Sequence, residues 1–316
     1  MPEQVDFIEQ AAPYRSELLA HCYRLLGSVH DAEDLVQETY LRGWRSYTSF
    51  EERAALRTWL YRIATRACLR ALENRARRVM PAGLGEGSSD PDAVLDDGAS
   101  GYRWMEPLPD SLTPDEVVAT RDTVRLAVAT ALQELPARQR AVLILRDVAQ
   151  FSAAEVAELL STTPAAVNSA MQRARARLDQ VAPDTETASL PTDLRRRELI
   201  DRYCAAFENA DVAALAELLR EEVALEMPPL TTWFIGRDAV VRFLASKALG
   251  AAGTTTMVPI GANGQAAVAD YRVGSDGAEH AHALHVLTQD GAGAIANITV
   301  FLDASLFALF SLPLTR

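Results

Sequence analysis

Residues 56–78 (LRTWLYRIATRACLRALENRARR) carry two patterns at once and constrain the fold more than any other part of the chain. Apolar side chains recur there every three or four residues, which predicts a helix that buries one stripe. Beside the stripe runs a row of arginines, and the segment holds seven arginines against a single acidic residue, Glu73. Such a cluster repels itself unless it meets a polyanion, so nucleic-acid phosphate is the expected partner.

The whole chain is acidic, with 316 residues, a net charge of -12 and 49% hydrophobic residues. This length and composition predict two or three domains with substantial cores. Because no run approaches the roughly 18 apolar residues of a spanning helix and no signal-peptide core is present, we expect a cytoplasmic protein without membrane attachment. The three separated cysteines, Cys22, Cys68 and Cys204, are expected to be buried, and neither a metal site nor a cofactor is expected.

Composition divides the chain into five segments. Residues 1–78 are expected to form helices near 6–26, 30–46 and 54–78, and residues 79–112 an acidic flexible linker rich in Gly, Pro, Ser and Asp. Residues 113–181 are expected to be helical again, beginning at a capping box over residues 113–116. Residues 182–193 form a polar linker, and residues 194–316 place helices before four strand-like runs, which predicts an α+β domain.

The helical block 113–181 ends in a pattern typical of a helix-turn-helix. A helix near 137–149 is followed by a capping box opened by Ser152, a turn at 161–163 and a last helix opened by Pro164. The same geometry also occurs as plain packing. The last helix turns polar and basic side chains outward, as a recognition helix in DNA does: Asn168, Ser169, Gln172, Arg173, Arg175 and Arg177.

These motifs resemble those of a known family. Residues 13–78, with PYRSELLAHCYRLLGSVHDAEDLVQETYLRGW and LRTWLYRIATRACL, resemble the second conserved region of bacterial sigma factors, and residues 132–178 resemble the fourth. Since no third region separates them, the chain resembles the extracytoplasmic-function sigma factors. Residues around RYCAAFENADVAALAELLREEVALEMPP and WFIGRDAVVRFL resemble the SnoaL-like fold, a small cone-shaped α+β domain. The expected fold is therefore multidomain, with two all-α sigma domains and a C-terminal α+β domain.

The resemblance implies RNA polymerase core enzyme and promoter DNA as partners, and it assigns three surfaces. The core-binding face is expected at Asp31, Asp34, Gln37, Glu38 and Leu41. Contact with the minus-ten element is expected from Trp59, Tyr61, Arg62, Arg66, Arg70, Arg77 and Arg78. The minus-35 element is expected to meet the outward residues of the last helix. Arg66 and Arg70 stand where the family usually has asparagine and aspartate, and Ala170 stands where it often has a basic residue, so the preferred promoter sequence stays open.

The SnoaL-like resemblance does not fix a chemistry, because this fold carries both enzymes and binding modules. Candidate residues for a ligand pocket are Tyr203, Glu226, Trp233, Phe234, Tyr271, His285 and Phe301. We expect a non-enzymatic sigma factor whose C-terminal domain regulates it in cis, with a small-molecule ligand or an external regulator as further possible partners. The alternatives are a C-terminal domain that keeps an enzymatic activity and a helix-turn-helix regulator that acts without polymerase.

Overall fold

The computed structural model describes residues 2–47, 55–73, 75–97, 101–113, 124–181 and 193–316. It divides into two compact units, of which the first comprises Met1–Arg78 with Asp110–Pro183 and the second Val79–Pro109 with Asp184–Arg316. The predicted capping box over residues 113–116 and most of the predicted linker over 182–193 lie outside the described residues.

The described part of the first unit is helical. Its helices are α1 (Pro2–Ala11), α2 (Arg15–Leu26), α3 (Val29–Ser46), α4 (Leu56–Leu72), α5 (Leu126–Gln133), α6 (Ala137–Leu143), α7 (Ala153–Leu159) and α8 (Pro164–Val181). A turn of 3-10 helix, Ala12–Tyr14, splits the helix expected over 6–26, because Pro13 has no N–H to donate. The helix expected to reach residue 78 ends at Leu72, so the last arginines of the segment follow α4 rather than extend it.

Helix α2 forms the centre of the first unit. It contacts α3, α4, α5 and α6, and its Leu18, Leu19, Tyr23 and Leu25 are fully buried. Gly27 adopts a left-handed conformation (φ 70°) that ends α2, and Ser28 Oγ then accepts a hydrogen bond from the Asp31 N–H to cap α3. The break that the sequence predicts at Gly27 and Ser28 therefore lies between the residue that ends α2 and the residue that caps α3.

The helix-turn-helix forms as the sequence predicts. After α6, which continues through one turn of π-helix (Ile144–Val148), Ser152 and Glu155 make the two reciprocal bonds of a capping box at the start of α7. Ser161, in a left-handed conformation (φ 52°), reverses the chain toward α8. The stripe of α8 is buried at Val167, Met171 and Ala174, which fixes the opposite face of the helix outward.

The second unit contains a six-stranded sheet with helices packed on it. The helices are α9 (Asp193–Glu208), α10 (Val212–Leu218) and α11 (Arg237–Phe243), the last extended by a π-turn over Leu244–Ala248. The strands β3 (Leu219–Glu226), β4 (Phe234–Ile235), β5 (Thr255–Ala262), β6 (Gln265–Val273), β7 (Glu279–Gln289) and β8 (Ile295–Phe301) lie in the order β4-β3-β8-β7-β6-β5. All neighbouring strands are antiparallel except β3 and β8.

The segment Val79–Pro109 belongs to the second unit and differs from the flexible linker expected over 79–112. Short strands β1 (Arg78–Val79) and β2 (Arg103–Trp104) pair, and the Met105 N–H donates to Val79 O over 3.1 Å. Met105 and Leu108 are exposed to only 1% and 0%. The described residues of the segment pack because the C-terminal domain supplies hydrogen-bond partners and apolar contacts that the composition of the segment cannot supply.

Candidate nucleic-acid interface

The aromatic side chains of α4 lie inside the first unit rather than on its surface. Trp59 is 8% exposed and meets the ring of Phe7 edge-on at 6.4 Å. Tyr61 is 2% exposed, donates from its hydroxyl to Glu17 Oε1 over 2.9 Å, and lies 5.1 Å from the ring of Phe151. Both side chains are buried in this structure, and their contact with the minus-ten element stays a prediction.

Two arginines of α4 lie beside α7 and the turn that follows it. Arg62 is half-buried there, in a crevice lined by Thr58, Trp59, Arg62, Glu155, Glu158 and Leu159. Arg66 is exposed, yet its guanidinium donates to Leu159 O over 3.3 Å and to Ser161 Oγ over 2.8 Å. Arg70 is exposed and donates to Arg66 O within the helix. These three arginines lie on one side of α4, as the row in the sequence predicts.

The arginines that follow α4 do not continue this row. Arg78 pairs with Asp31 over 2.9 Å, and Arg75 pairs with the other oxygen of the same carboxylate over 3.1 Å. Arg77 forms an ion pair with Glu134 at the end of α5. Two of the residues expected at the minus-ten element, Arg77 and Arg78, are thus engaged in ion pairs within the unit.

The expected core-binding face of α3 is only partly open. Asp34 and Gln37 are exposed and Leu41 is 54% exposed, whereas Glu38 pairs with Arg42 one turn away. Sequence reasoning missed Trp44, which is 39% exposed. It follows Leu41 by three residues and therefore lies beside it on the helix surface. That spacing was the available signal, and the two side chains form an exposed apolar pair next to carboxylate and amide groups.

The outward face of α8 carries the expected polar and basic side chains. Asn168, Ser169, Gln172 and Arg173 are all exposed near the N-terminal half of the helix. Arg175 pairs with Asp147 over 2.9 Å, and Arg177 lies 3.5 Å from Gln180 Oε1. The structure therefore leaves the amide and hydroxyl groups of the first turns open, while the two later arginines have partners within the unit.

A buried arginine, Arg140, lies at the contact between α2 and the helices that lead into the helix-turn-helix. Arg140 is 3% exposed, and burial lowers its pKa to about 10. Its guanidinium donates to Gln133 O and Leu135 O over 3.0 and 3.1 Å and also bonds to Leu25 O on α2. Burial, followed by the charges of Arg24 and Arg57, lowers the pKa of His21 to about 3. This imidazole is therefore neutral at physiological pH.

The aromatic and ionisable candidates of the C-terminal domain fill its core instead of lining an open pocket. Five of them, Tyr203, Phe234, Tyr271, His285 and Phe301, are exposed to 3% or less. Phe234 stacks on Phe243 at 4.4 Å, and the Tyr271 hydroxyl donates to Pro313 O. These rings were candidates because aromatic side chains also line ligand pockets, but sequence does not distinguish the two surroundings.

His285 does not pair with Glu226. Its Nδ1 lies 2.9 Å from the Tyr203 hydroxyl, and its Nε2 lies 3.7 Å from Asp270 Oδ2. Although burial acts to raise the pKa of Asp270, the neighbouring His285 imidazole and the hydrogen-bonded Arg272 guanidinium hold that pKa below its usual value. Glu226 lies elsewhere in the sheet, where burial raises its pKa.

Comparisons with known proteins match three parts of the chain to known families. Residues 11–78 match the sigma-70 region 2 family, residues 125–178 the sigma-70 region 4 family, and residues 200–298 the SnoaL-like domain family. The chain is 46% identical over 314 residues to the ECF RNA polymerase sigma factor SigG of Mycobacterium tuberculosis (strain ATCC 25618 / H37Rv), covering 98% of this chain and 84% of that protein. It is 32% identical over 236 residues to SigJ of the same strain, covering 73% of this chain and 69% of that protein.

A solved structure has the same fold. The crystal structure of the Mycobacterium tuberculosis extracytoplasmic function sigma factor SigJ aligns with a TM-score of 0.62 and 23% identity, covering 97% of this chain and 99% of that chain. The arrangement of a region 2, a region 4 and a SnoaL-like domain defines a two-region bacterial sigma factor with an appended α+β domain. The chain belongs to the ECF RNA polymerase sigma factors, the family that directs core polymerase to promoters. Among the described residues, none of the helices is both long and apolar enough to cross a membrane.

Proposed function

We propose that the C-terminal domain regulates the sigma module in cis, as a binding module without catalytic activity, by holding the segment Val79–Pro109. This segment connects region 2 to region 4, so whatever fixes its path restricts where the two regions can lie. The observation that carries the proposal is that the domain binds this segment at two anchors, one near each end.

The first anchor binds backbone atoms of residues 82–88. Glu226, 5% exposed, accepts from the Ala82 N–H over 2.9 Å and from Asn297 Nδ2 over 2.8 Å. The Trp233 indole N–H donates to Gly85 O over 3.0 Å. Gly87 lies against the same indole, where an added Cβ would stand 2.8 Å from ring carbons. The site thus requires a residue without a side chain at position 87.

The second anchor binds Leu108, which is fully buried. Its N–H donates to Asn263 Oδ1 over 2.9 Å, and its carbonyl accepts from the Asn263 N–H over 2.7 Å. Asn263 belongs to the turn between β5 and β6 and has a left-handed backbone (φ 56°), which asparagine tolerates better than most residues. Two of the seven pocket candidates, Glu226 and Trp233, therefore contact the chain's own segment, which favours this segment over a small molecule as the ligand of the domain.

The surfaces of the sigma module complete the proposal. We assign core-polymerase binding to the exposed face of α3, with Asp34, Gln37, Glu38, Leu41 and Trp44. Contact with the minus-ten element is assigned to the arginine row of α4, with Arg62, Arg66 and Arg70. Readout of the minus-35 element is assigned to the first turns of α8, with Asn168, Ser169, Gln172 and Arg173.

The test is a matched pair of substitutions in the full-length protein. Gly87→Ala should displace the segment from Trp233, whereas Gly83→Ala introduces a Cβ that meets nothing within 4 Å and serves as the control. We expect faster proteolysis within residues 79–109 and a changed rate of transcript formation with purified core polymerase for Gly87→Ala only. Asn263→Gly, which keeps the left-handed backbone but removes the acceptor for Leu108, should act in the same direction.

Two results would contradict the proposal. If the segment became protease-sensitive while transcription stayed at the level of the control, the domain would not act through this contact. If neither Gly87→Ala nor Asn263→Gly released the segment, the two anchors would not be what holds it.

A further inference from the structure

Asp31, in the first turn of α3, binds two arginines at once. Arg75 Nη1 lies 3.1 Å from Asp31 Oδ1, and Arg78 Nη2 lies 2.9 Å from Asp31 Oδ2. Ser28 Oγ caps the same turn by accepting from the Asp31 N–H, so the carboxylate also lies near the positive end of the helix. Each oxygen of this one carboxylate therefore has its own charge-assisted hydrogen bond.

The two arginines lie where the chain leaves region 2. Helix α4 ends at Leu72, and strand β1 begins at Arg78. The segment Val79–Pro109, which belongs to the second unit, starts directly after Arg78. Asp31 thus connects the beginning of α3 to the residues from which this segment departs, although those residues are 44 and 47 positions away in the chain.

Burial distinguishes Asp31 from the neighbouring polar groups of α3. The side chain of Asp31 is 20% exposed and that of Arg78 only 11%, whereas Asp34 and Gln37 are exposed on the same helix. Water screens a largely buried ion pair less than a surface pair, so the bond to Arg78 contributes more than the bond to Arg75, whose side chain is 46% exposed. Exchanging these bonds for contacts with another protein would take the carboxylate away from a largely buried guanidinium, which costs free energy.

We propose that Asp31 is a positioning residue for transcription initiation. Its carboxylate fixes Arg75 and Arg78, and with them the start of the segment Val79–Pro109, and it does not contact core polymerase. The family resemblance places Asp31 on the core-binding face, whereas its bonds give it a role within the chain. The inference deepens the function proposed for the C-terminal domain and rests on it: that domain holds the segment further along, and Asp31 holds the segment where it leaves region 2.

The test is a double-mutant cycle in the full-length protein. Asp31→Asn keeps the shape of the side chain but removes its charge, and Arg75→Gln combined with Arg78→Gln removes the two cations on the other side. Asp34→Asn, one turn further along α3 at an exposed position, is the matched control for a residue assigned to core binding. Each protein is measured for amide hydrogen exchange of residues 75–79 in the free chain, for affinity to purified core polymerase and for the rate of transcript formation.

The three measurements should separate in a defined way. For Asp31→Asn we expect amide exchange of residues 75–79 to become about threefold faster, since a partly exposed ion pair contributes modestly. Core affinity should stay unchanged, and transcript formation should change in the same direction as in Gly87→Ala. In the background without the two arginines, Asp31→Asn should have no further effect, because the residue acts only through them. Asp34→Asn should give the opposite pattern, with weaker core binding and unchanged exchange.

Each of three results would overturn the inference and leave the function of the C-terminal domain standing. Weaker core binding by Asp31→Asn in both backgrounds would make Asp31 a polymerase contact. Unchanged exchange would show that the carboxylate does not hold residues 75–79. Unchanged transcript formation, where Gly87→Ala does alter it, would mean that initiation does not depend on how the segment leaves region 2. If both Gly87→Ala and Asp31→Asn left transcription unchanged, the inference would fail together with the function proposed for the C-terminal domain.

Discussion

Tyr61 lies on α4 beside the arginine row, yet its side chain is buried by residues far away in the chain. Position in the helix predicts a side chain beside the buried stripe, near the arginines, and the structure places it there. Its burial comes from Glu17 and Phe151, which are 44 and 90 positions away in the chain. Local periodicity contains no information on such partners. For Trp59 the stripe itself already predicted burial, and only the family resemblance indicated contact with DNA.

His21 is the residue for which the structure makes the clearest prediction about pH. Its folded-state pKa is lowered to about 3 by burial and then by Arg24 and Arg57, while its pKa in the unfolded chain is about 6.5. The unfolded state therefore binds the proton first as pH falls, so the free energy of unfolding should decrease below pH 6.5, by up to about 1.4 kcal/mol per pH unit.

Urea unfolding at a series of pH values checks this expectation. His21→Gln keeps a partner for Thr65 Oγ1, which lies 2.9 Å from His21 Nε2, but cannot titrate. Its stability should depend less on pH between 6.5 and 4 than that of the wild type. Parallel curves for the two proteins would exclude His21 as the cause.

At the scale of elements, sequence predicted helices better than it predicted the segment between them. The capping box of α7, the stripe of α8 and the four long strands β5 to β8 follow from local residue patterns, and the structure confirms them. The segment Val79–Pro109 has no such pattern, and its Gly, Pro and Asp content predicts flexibility. Its order depends on Glu226, Trp233 and Asn263, more than 120 residues further along the chain.

Helix α4 carries a prediction about promoter opening. Arg62→Ala combined with Arg66→Ala removes two cations from one face without touching α3, so binding to core polymerase should be unchanged while promoter opening is lost. Loss of two phosphate or base contacts is expected to cost about 1–3 kcal/mol each, or about 5- to 150-fold per contact. Permanganate reactivity of the minus-ten thymines and a core-binding assay separate the two steps. Failure to bind core would show that the faces of α3 and α4 do not act independently.

At the scale of the whole molecule, the net charge and the order of the domains could be predicted from the sequence. The identities of the three domains followed from motifs, but the assignment of Val79–Pro109 to the C-terminal unit and the packing of region 4 on region 2 did not. Both depend on contacts between residues far apart in the chain. The five deeply buried aromatic and ionisable residues suggested as a pocket illustrate the same limit, since a core and a cavity wall use the same side chains.

The net charge of -12 predicts weak binding of the isolated protein to promoter DNA. Like charges repel at long range, and within the arginine row Arg62 is half-buried while Arg66 is hydrogen-bonded to Leu159 and Ser161. We expect affinity for a labelled promoter duplex to rise at least tenfold, or about 1.4 kcal/mol, when core polymerase is added. A gel shift at fixed salt measures this, with a scrambled duplex as the control. Tight, sequence-specific binding without core would favour a regulator that acts independently of polymerase.

The hydrogen bonds between Leu108 and Asn263 join positions 155 residues apart, and this separation matters during synthesis of the chain. A ribosome adding roughly 5 to 20 residues per second needs about 8 to 31 s to travel that distance. During that interval the ribosome is still making region 4 and the first part of the C-terminal domain, while the segment that follows region 2 has no domain to bind. Each newly made molecule therefore passes through a period in which its anchor does not yet exist, and the timing of that period is set by translation.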